Sequence, residues 1–486
     1  MINNTVGELA TVIGARVEFD GRAPEPALLD AEVTELVYDS RNAHPGSLFV
    51  ALPGERVDGH DYASKAWSLG AVAAITSRPV PGGLCLITED PVAAMGRIGQ
   101  YLTLRAKSAG LRVIGITGSA GKSTTKDLLA QILEQVAPVV APRGSMNNEI
   151  GLPTTASWVT ADTRFLVAEM GAKGIGHIRY LCDITPPDIG VVLNVGAAHL
   201  GKFGSQDAIA KAKGELIEAV PDGGVAVLNA GDPRVRAMES RTNAPVVFFD
   251  VESPQGREHG ETADVYATGL ESDDLDRWSF DLVIGAETHR VRLQLIGRHQ
   301  ISNAVAAAAA AHAAEVPAAV IAGALSGAAS RSQWRMELHE LPAGGILIND
   351  AYNANPASMT AALDTLATIG GRRKAVDPTT TTTAVLGEML ELGDDSGPMH
   401  EQVGRAVAEH RIDRLITVGP GAEPIMAGAL AGGLDPAAVT QVPDKAAALA
   451  RLRDLSAGDL VLIKASRDIG LETVGEQLLA DRSSAN

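Results

Sequence analysis

The chain has 486 residues, 45% of them hydrophobic but only 3% aromatic, which is enough for about three domains with cores built from Ala, Val, Leu and Ile. A formal net charge of −18 argues against nucleic acid or an anionic membrane as partner of the whole surface, while leaving room for a local basic pocket. Two cysteines without a CxxC pair argue against a disulfide framework and a zinc site, and fit a reducing compartment. The N-terminus has no basic start followed by an apolar segment, and no apolar run is long enough to span a bilayer. The expectation is a soluble cytoplasmic protein without membrane insertion.

Residues 1–108 read as a small α/β unit. A helix is expected over 5–13, strands over 33–38, 47–52 and 70–75, and a helix opening at Gly59. The Asp39-Ser40-Arg41 turn could bond a polar ligand, although such a turn is more often only a turn.

Residues 109–330 alternate strand and helix, the pattern of a mostly parallel sheet covered on both faces. The block opens on GITGSAGKSTTK at 115–126, between an apolar run and apolar residues at helical spacing. Strand, glycine-rich turn, Lys-Ser-Thr and helix is the layout of a phosphate-cradling loop. Gly118 and Gly121 let the backbone of the Gly118-Ser119-Ala120-Gly121 turn come close to a polyphosphate, and the helix N-terminus favours the anion. Lys122 supplies a point charge, Ser123 a hydroxyl for Mg2+, and Thr124 support. A strict motif would have Gly where Ile116 stands, so the match is to a shorter form, TGSxGKST.

Two further strands end at polar residues, where open α/β sheets bind ligands: 165–168 at Glu169, and 189–193 at the loop that runs to His199. Glu169 is a hard oxygen donor suited to Mg2+. His199 taken singly is more often structural. Asn148 lies in NNEIG before a helix and could face the same crevice. Lys211 and Lys213 lie in AIAKAKGELIEAV, where the default reading is a solvated charged face. GRHQISN, ending at Asn303, precedes an Ala-rich run that reads as a close-packed buried helix.

Residues 331–486 form a third alternating block without a GxGxxG fingerprint, so no dinucleotide is expected. Residues 331–334 read as a linker, 335–338, 346–348, 384–388, 414–418 and 459–464 as strands, and Pro356 as the first residue of a helix. The threonine run before 384 reads as a surface loop.

Taken together, the stretches DSR at 39–41, GITGSAGKSTTKD, NNEIGLP, AEMGA, NVGAAHLGKFGS, AKGE, GRHQISNAVAAAA, WRME, NDAYNANPASM and VLGEMLELG resemble the Mur ligases of peptidoglycan synthesis. They run in order over nearly the whole chain. Gln300 stands where the family usually has Asn, and LNAGDP replaces the commoner NADDP. The resemblance implies an α/β chain of three domains: a UDP-substrate domain (1–108), a central P-loop ATPase-type domain (109–330) and a C-terminal Rossmann-like domain (331–486).

It also implies roles. Ser40, Arg41 and Asn148 would meet the UDP-linked substrate. Gly118, Ser119, Gly121, Lys122, Ser123 and Thr124 would hold ATP and Mg2+. Glu169 and His199 would be magnesium ligands, and Lys213 would be carbamylated and help bridge the metal sites. Asn303 would contact adenine, Arg335 and Asp350 the phosphates and ribose, and Asn353 and Asn355 the incoming dipeptide. NDAYNANP and VLGEMLELG favour the branch that adds D-alanyl-D-alanine to a UDP-linked muramyl tripeptide through an acyl phosphate, in a monomeric enzyme. The alternatives are another Mur ligase, a folylpolyglutamate synthase-like ligase adding a single amino acid, or a P-loop switch protein. Against the last, no N-K-x-D element follows the loop at a fitting distance.

Overall fold

Three sheets of five or more strands follow one another along the chain, beside a two-stranded pair of Asn4–Thr5 with Glu32–Val33, in a computed structural model that describes residues 1, 4–54, 57–196, 200–251, 263–341, 344–453 and 455–480. The first has five strands, in the order Arg16–Phe19, Leu84–Ile87, Ala73–Thr76, Ser47–Val50, Glu35–Val37, all parallel except the antiparallel first edge. The inner strands are buried on both faces, which is why they read as continuous apolar runs. The helix Pro91–Ser108 then leads the chain into the second sheet. Asp90 caps it by accepting from the Val92 and Ala93 amides, and Pro91 occupies the first turn, where its missing N–H costs nothing.

The second sheet has nine strands. Arg112–Thr117 lies between Phe165–Glu169 and Ile189–Val192, all parallel, so three strand ends open at one edge. Beyond Val265–Ser272 the alternation expected as far as residue 330 gives way to two antiparallel strands, Arg277–Ile284 and Glu287–Ile296. The reason is legible afterwards: from Arg290 to Leu293 exposed and buried residues alternate, one face packing on the core and the other facing water.

The Ala-rich run is a buried helix, as expected, but it starts earlier than the reading placed it. His299–Ala313 takes in the HQISN segment. Residues 304–311 are fully buried in one core with the helix Lys122–Leu133 that follows the glycine loop.

The third sheet runs Glu337–Glu340, Ile346–Asn349, Leu460–Lys464, Thr382–Leu386, Arg414–Val418, Val439–Val442, parallel except for the antiparallel first edge. Two expectations are corrected here. The strand placed at 335–338 begins at Glu337, because Trp334 and Met336 take positive φ, +56° and +51°, and turn the backbone at Arg335. The end of the threonine run is strand rather than surface loop. Thr382 and Thr383 are buried, and the Thr382 amide and hydroxyl both donate to Asp413, at 2.7 and 2.8 Å. The branched side chain of Thr382 suits the pleated surface once its hydroxyl is satisfied. Among the described residues no helix is long and apolar enough to cross a membrane.

Candidate active site

The glycine loop joins the strand Arg112–Thr117 to the helix Lys122–Leu133, as the sequence pattern requires. Gly121 has φ +83°, and a Cβ there would lie 2.3 Å from Asn303 Oδ1. The loop is held from outside. Asn194 Oδ1 accepts from the Ser119 and Ala120 amides, both at 3.0 Å, and Asn194 Nδ2 donates to Ala120 O at 3.2 Å. Lys122 Nζ folds back onto Gly118 O at 2.8 Å.

Glu169, fully buried at the end of the neighbouring strand, collects three side chains. Ser123 Oγ donates to Oε2 at 2.7 Å, while Ser145 Oγ and Asn147 Nδ2 donate to Oε1 at 2.9 and 2.8 Å. Burial pushes this carboxyl up, but the charges of Lys122 and Arg335 and the Ser123 bond together outweigh it and hold it below the usual carboxylate range. Burial is also the main influence on Lys122 and lowers its ammonium, with Arg335 adding to the effect against Glu169.

Lys213 corrects the default reading of its helix. It is buried at 4% exposure in Gln206–Glu218, whereas Lys211 is exposed as a solvated face would have it. Its neighbour Glu215 is buried because it accepts from the Gly176 and Arg179 amides, at 2.6 and 3.0 Å, at the start of the helix His177–Ile184. Burial, and then the charge on Lys122, hold the Lys213 amine well below the ordinary lysine range.

The third block supplies the opposite wall. Arg335 lies over the Tyr352 ring at 4.0 Å, and its buried Nε has no hydrogen-bond partner among the described residues. Asp350 accepts from the Met336 amide at 3.0 Å and pairs with buried Lys464 at 2.5 Å. One cavity of about 760 Å³ is lined from both sides: by Gly118 to Thr124, Asn148, Glu169, Lys213 and Asn303, and by Arg335, Asp350, Asn353 and Asn355.

Three of the expected asparagines also have local work. Asn148 Oδ1 accepts from the Ile150 and Gly151 amides, Asn353 Oδ1 from Ala354, and Asn355 caps the helix Pro356–Val376. Ser40 and Arg41 do not line this cavity. They sit in the turn Ser40–Asn42 of the first block, Ser40 buried and Arg41 paired with Asp39, whose carboxyl those hydrogen bonds hold down at about 2. His199 lies outside the described residues. Among the described residues no three His, Cys, Asp or Glu side chains gather as a chelating cluster. Sequence reasoning passed over Ser145, Asn194 and Lys464; the only signal for Asn194 and Lys464 was their position at a strand's carboxyl end.

The arrangement can do one kind of chemistry well. A loop of amides and two cations, Lys122 and Arg335, face a buried carboxylate with a hydroxyl beside it, which suits a polyphosphate carrying a hard cation. Gly121→Ala is expected to be harmful twice over, through its positive φ and its contact with Asn303, destabilising the chain by about 1–3 kcal/mol. A denaturation midpoint at the wild-type value would contradict the strain at this position.

Comparison with known proteins points the same way. Profiles described as the Mur ligase middle domain, the Mur ligase glutamate ligase domain and the Mur ligase family catalytic domain match residues 116–311, 334–467 and 32–141. The UDP-N-acetylmuramoyl-tripeptide–D-alanyl-D-alanine ligase of Mycobacterium tuberculosis is 40% identical over 518 residues, covering 99% of this chain and 98% of that one. The protein of that name from Escherichia coli is 33% identical, covering 98% of each. Among solved structures, MurF from Acinetobacter baumannii superposes with a TM-score of 0.82 at 30% identity, covering 98% of this chain and 99% of that one. MurF ligase from Thermotoga maritima in complex with ADP gives 0.75 at 26% identity, covering 95% and 100%.

Proposed function

The chain belongs to the Mur ligase family, and on that premise we propose that it uses ATP to join D-alanyl-D-alanine to a UDP-N-acetylmuramoyl-tripeptide, working in the cytoplasm as a single chain. The observation that carries this reading is the shared cavity, in which the phosphate loop and Glu169 of one block face Arg335 and Asp350 of another. In this reading residues 1–108 hold the UDP end through Ser40 and Arg41, residues 109–330 hold ATP, and residues 331–486 bring the dipeptide near Asn353 and Asn355.

A carboxylate is a poor electrophile because it would have to expel oxide. In the first step an oxygen of the tripeptide's terminal carboxylate attacks the γ-phosphorus of ATP; the new O–P bond forms as the bond to ADP breaks. In the second, the dipeptide's amine attacks the acyl carbon, the C–N bond forms, phosphate leaves with the bonding electrons, and the amine gives up its proton. Two anions must meet in the first step. The loop amides, Lys122 and Arg335 offset their repulsion and stabilise the charge that builds on the transferring phosphoryl group. Magnesium fits the site, since Glu169 Oε2 and Ser123 Oγ are hard oxygens 2.7 Å apart, and when bound it neutralises phosphate charge. Asp350 and Asn303 would face the ribose and base. Orientation supplies much of the rest, up to about 7–11 kcal/mol in favourable cases.

Phosphate release tests the reading when a panel of UDP-muramyl peptides is offered with D-alanyl-D-alanine or with single amino acids. Release should require both the tripeptide and the dipeptide. Equal release with nucleotide alone would point to a switch protein, and release with a single amino acid but not the dipeptide to a different ligase.

A further inference from the structure

The segment that leads to Arg335 is fastened along the helix that begins at the phosphate loop. Gln131 and Ala329 exchange two hydrogen bonds, Gln131 Nε2 donating to Ala329 O at 3.0 Å and Ala329 N to Gln131 Oε1 at 3.1 Å. Arg331 grips Glu134 with both terminal nitrogens, at 2.6 and 2.5 Å. Ser332 is buried and donates to Asp127 Oδ2 at 2.6 Å, while Lys126 Nζ takes the other oxygen of Asp127 at 2.6 Å. Asp127, Gln131 and Glu134 are spaced four and three apart, so they form one stripe down the helix.

Past Gln333 the ties change sides. Trp334 O accepts from Tyr352 N at 3.0 Å, and the Trp334 indole donates to Glu476 at 3.1 Å. Arg467 stacks on the Trp334 ring at 4.3 Å, and Met336 N donates to Asp350. Arg335 therefore sits between two positive-φ residues that third-block partners hold in place. Exposed Gln333 is the residue between the two sets of contacts.

We infer that Asp127, Gln131 and Glu134 are positioning residues for Arg335: they anchor the near end of the linker to the phosphate-loop helix, Gln333 is the pivot, and Arg335 moves with the third block. The inference rests on the reading that Arg335 meets the nucleotide's phosphates. Three residues of extended chain span at most about 10 Å, so Arg335 swings on a short tether about a point fixed five residues along the helix from Lys122. A free linker would let the guanidinium sample a far larger volume, and small misplacement of a charged group is costly to rate.

The test uses the full chain, with Ser332→Ala, Ser332→Thr, Arg331→Glu, Glu134→Arg, the double exchange of the last two, and Arg335→Ala. Ser332→Ala should lower kcat about tenfold and raise KM for ATP while leaving KM for the UDP-peptide unchanged, a split that general loosening would not produce. Ser332→Thr, which keeps the hydroxyl, should recover most of the loss. Each single charge reversal should act in the same direction and the double exchange restore activity, with little change in Tm because the pair is exposed. Should Ser332→Ala fail to fold, the exposed pair decides. Wild-type kinetics in the linker variants beside an impaired Arg335→Ala would overturn the inference. A fully active Arg335→Ala would instead overturn the assignment of Arg335.

Discussion

Replacing Lys122 by methionine is expected to lower kcat by about a hundredfold to a thousandfold at saturating substrates. The side chain is half-buried and points back over its own loop to Gly118 O, so its charge is only partly screened by water and acts at close range on whatever the loop holds. Methionine keeps the length and apolar stem but removes the charge. It also takes away the cation that contributes most to keeping Glu169 ionised against the cost of its burial. The Glu169 carboxyl should then rise towards its neutral form and weaken the cation site as well. A phosphate-release assay that finds less than a tenfold loss would remove Lys122 from the chemistry.

Lys213→Ala should also cut turnover severely, by about a hundredfold, with part of the loss restored by acetate or formate. An amine must be neutral to attack carbon dioxide, forming an N–C bond and releasing a proton. Burial, and then the nearby charge of Lys122, lower the pKa of the Lys213 amine and so favour that form. The carbamate would place a negative charge where the unmodified amine carries none, on a helix that lines the shared cavity. A short carboxylate diffusing into the space left by alanine can supply the same pair of oxygens. Undiminished activity in Lys213→Ala would end the proposal of a modified lysine.

Those two residues differ in how far the chain announced them. Lys122 is readable because its whole context is local: a buried strand, glycines that permit a left-handed turn, and a helix start, all within a dozen residues. Glu169 is nearly as plain, lying at the end of an apolar run in an alternating sheet. Lys213 was legible only by family resemblance. Its AKAK setting is that of a solvated face, and burial comes from the packing of its helix against several other elements, among them His177–Ile184 and Ile189–Val192. Ser145 and Lys464 were missed for the same reason, since their partners, Glu169 and Asp350, lie 24 and 114 residues away. The antiparallel strands after Val265 escaped because an expectation of strand-helix alternation was carried past the point where the pattern changed to period two. The cavity itself, closed from opposite sides by residues more than two hundred positions apart, has no local signature.

The helix His299–Ala313 carries one more consequence. From Ala304 to Ala311 its buried side chains are alanines apart from Val305, and an alanine methyl loses no rotamer freedom on folding and has no alternative rotamer to adopt. The methyl side of this contact cannot absorb a mismatch by reorienting, so any adjustment falls on Leu128, Leu129, Ile132 and Leu133 of the facing helix or on the backbone. A bulkier residue there would be felt as displacement of the neighbouring helix and of the turn at its head. The poverty of that stretch in side-chain variety makes it a fixed gauge, against which the loop's position is measured.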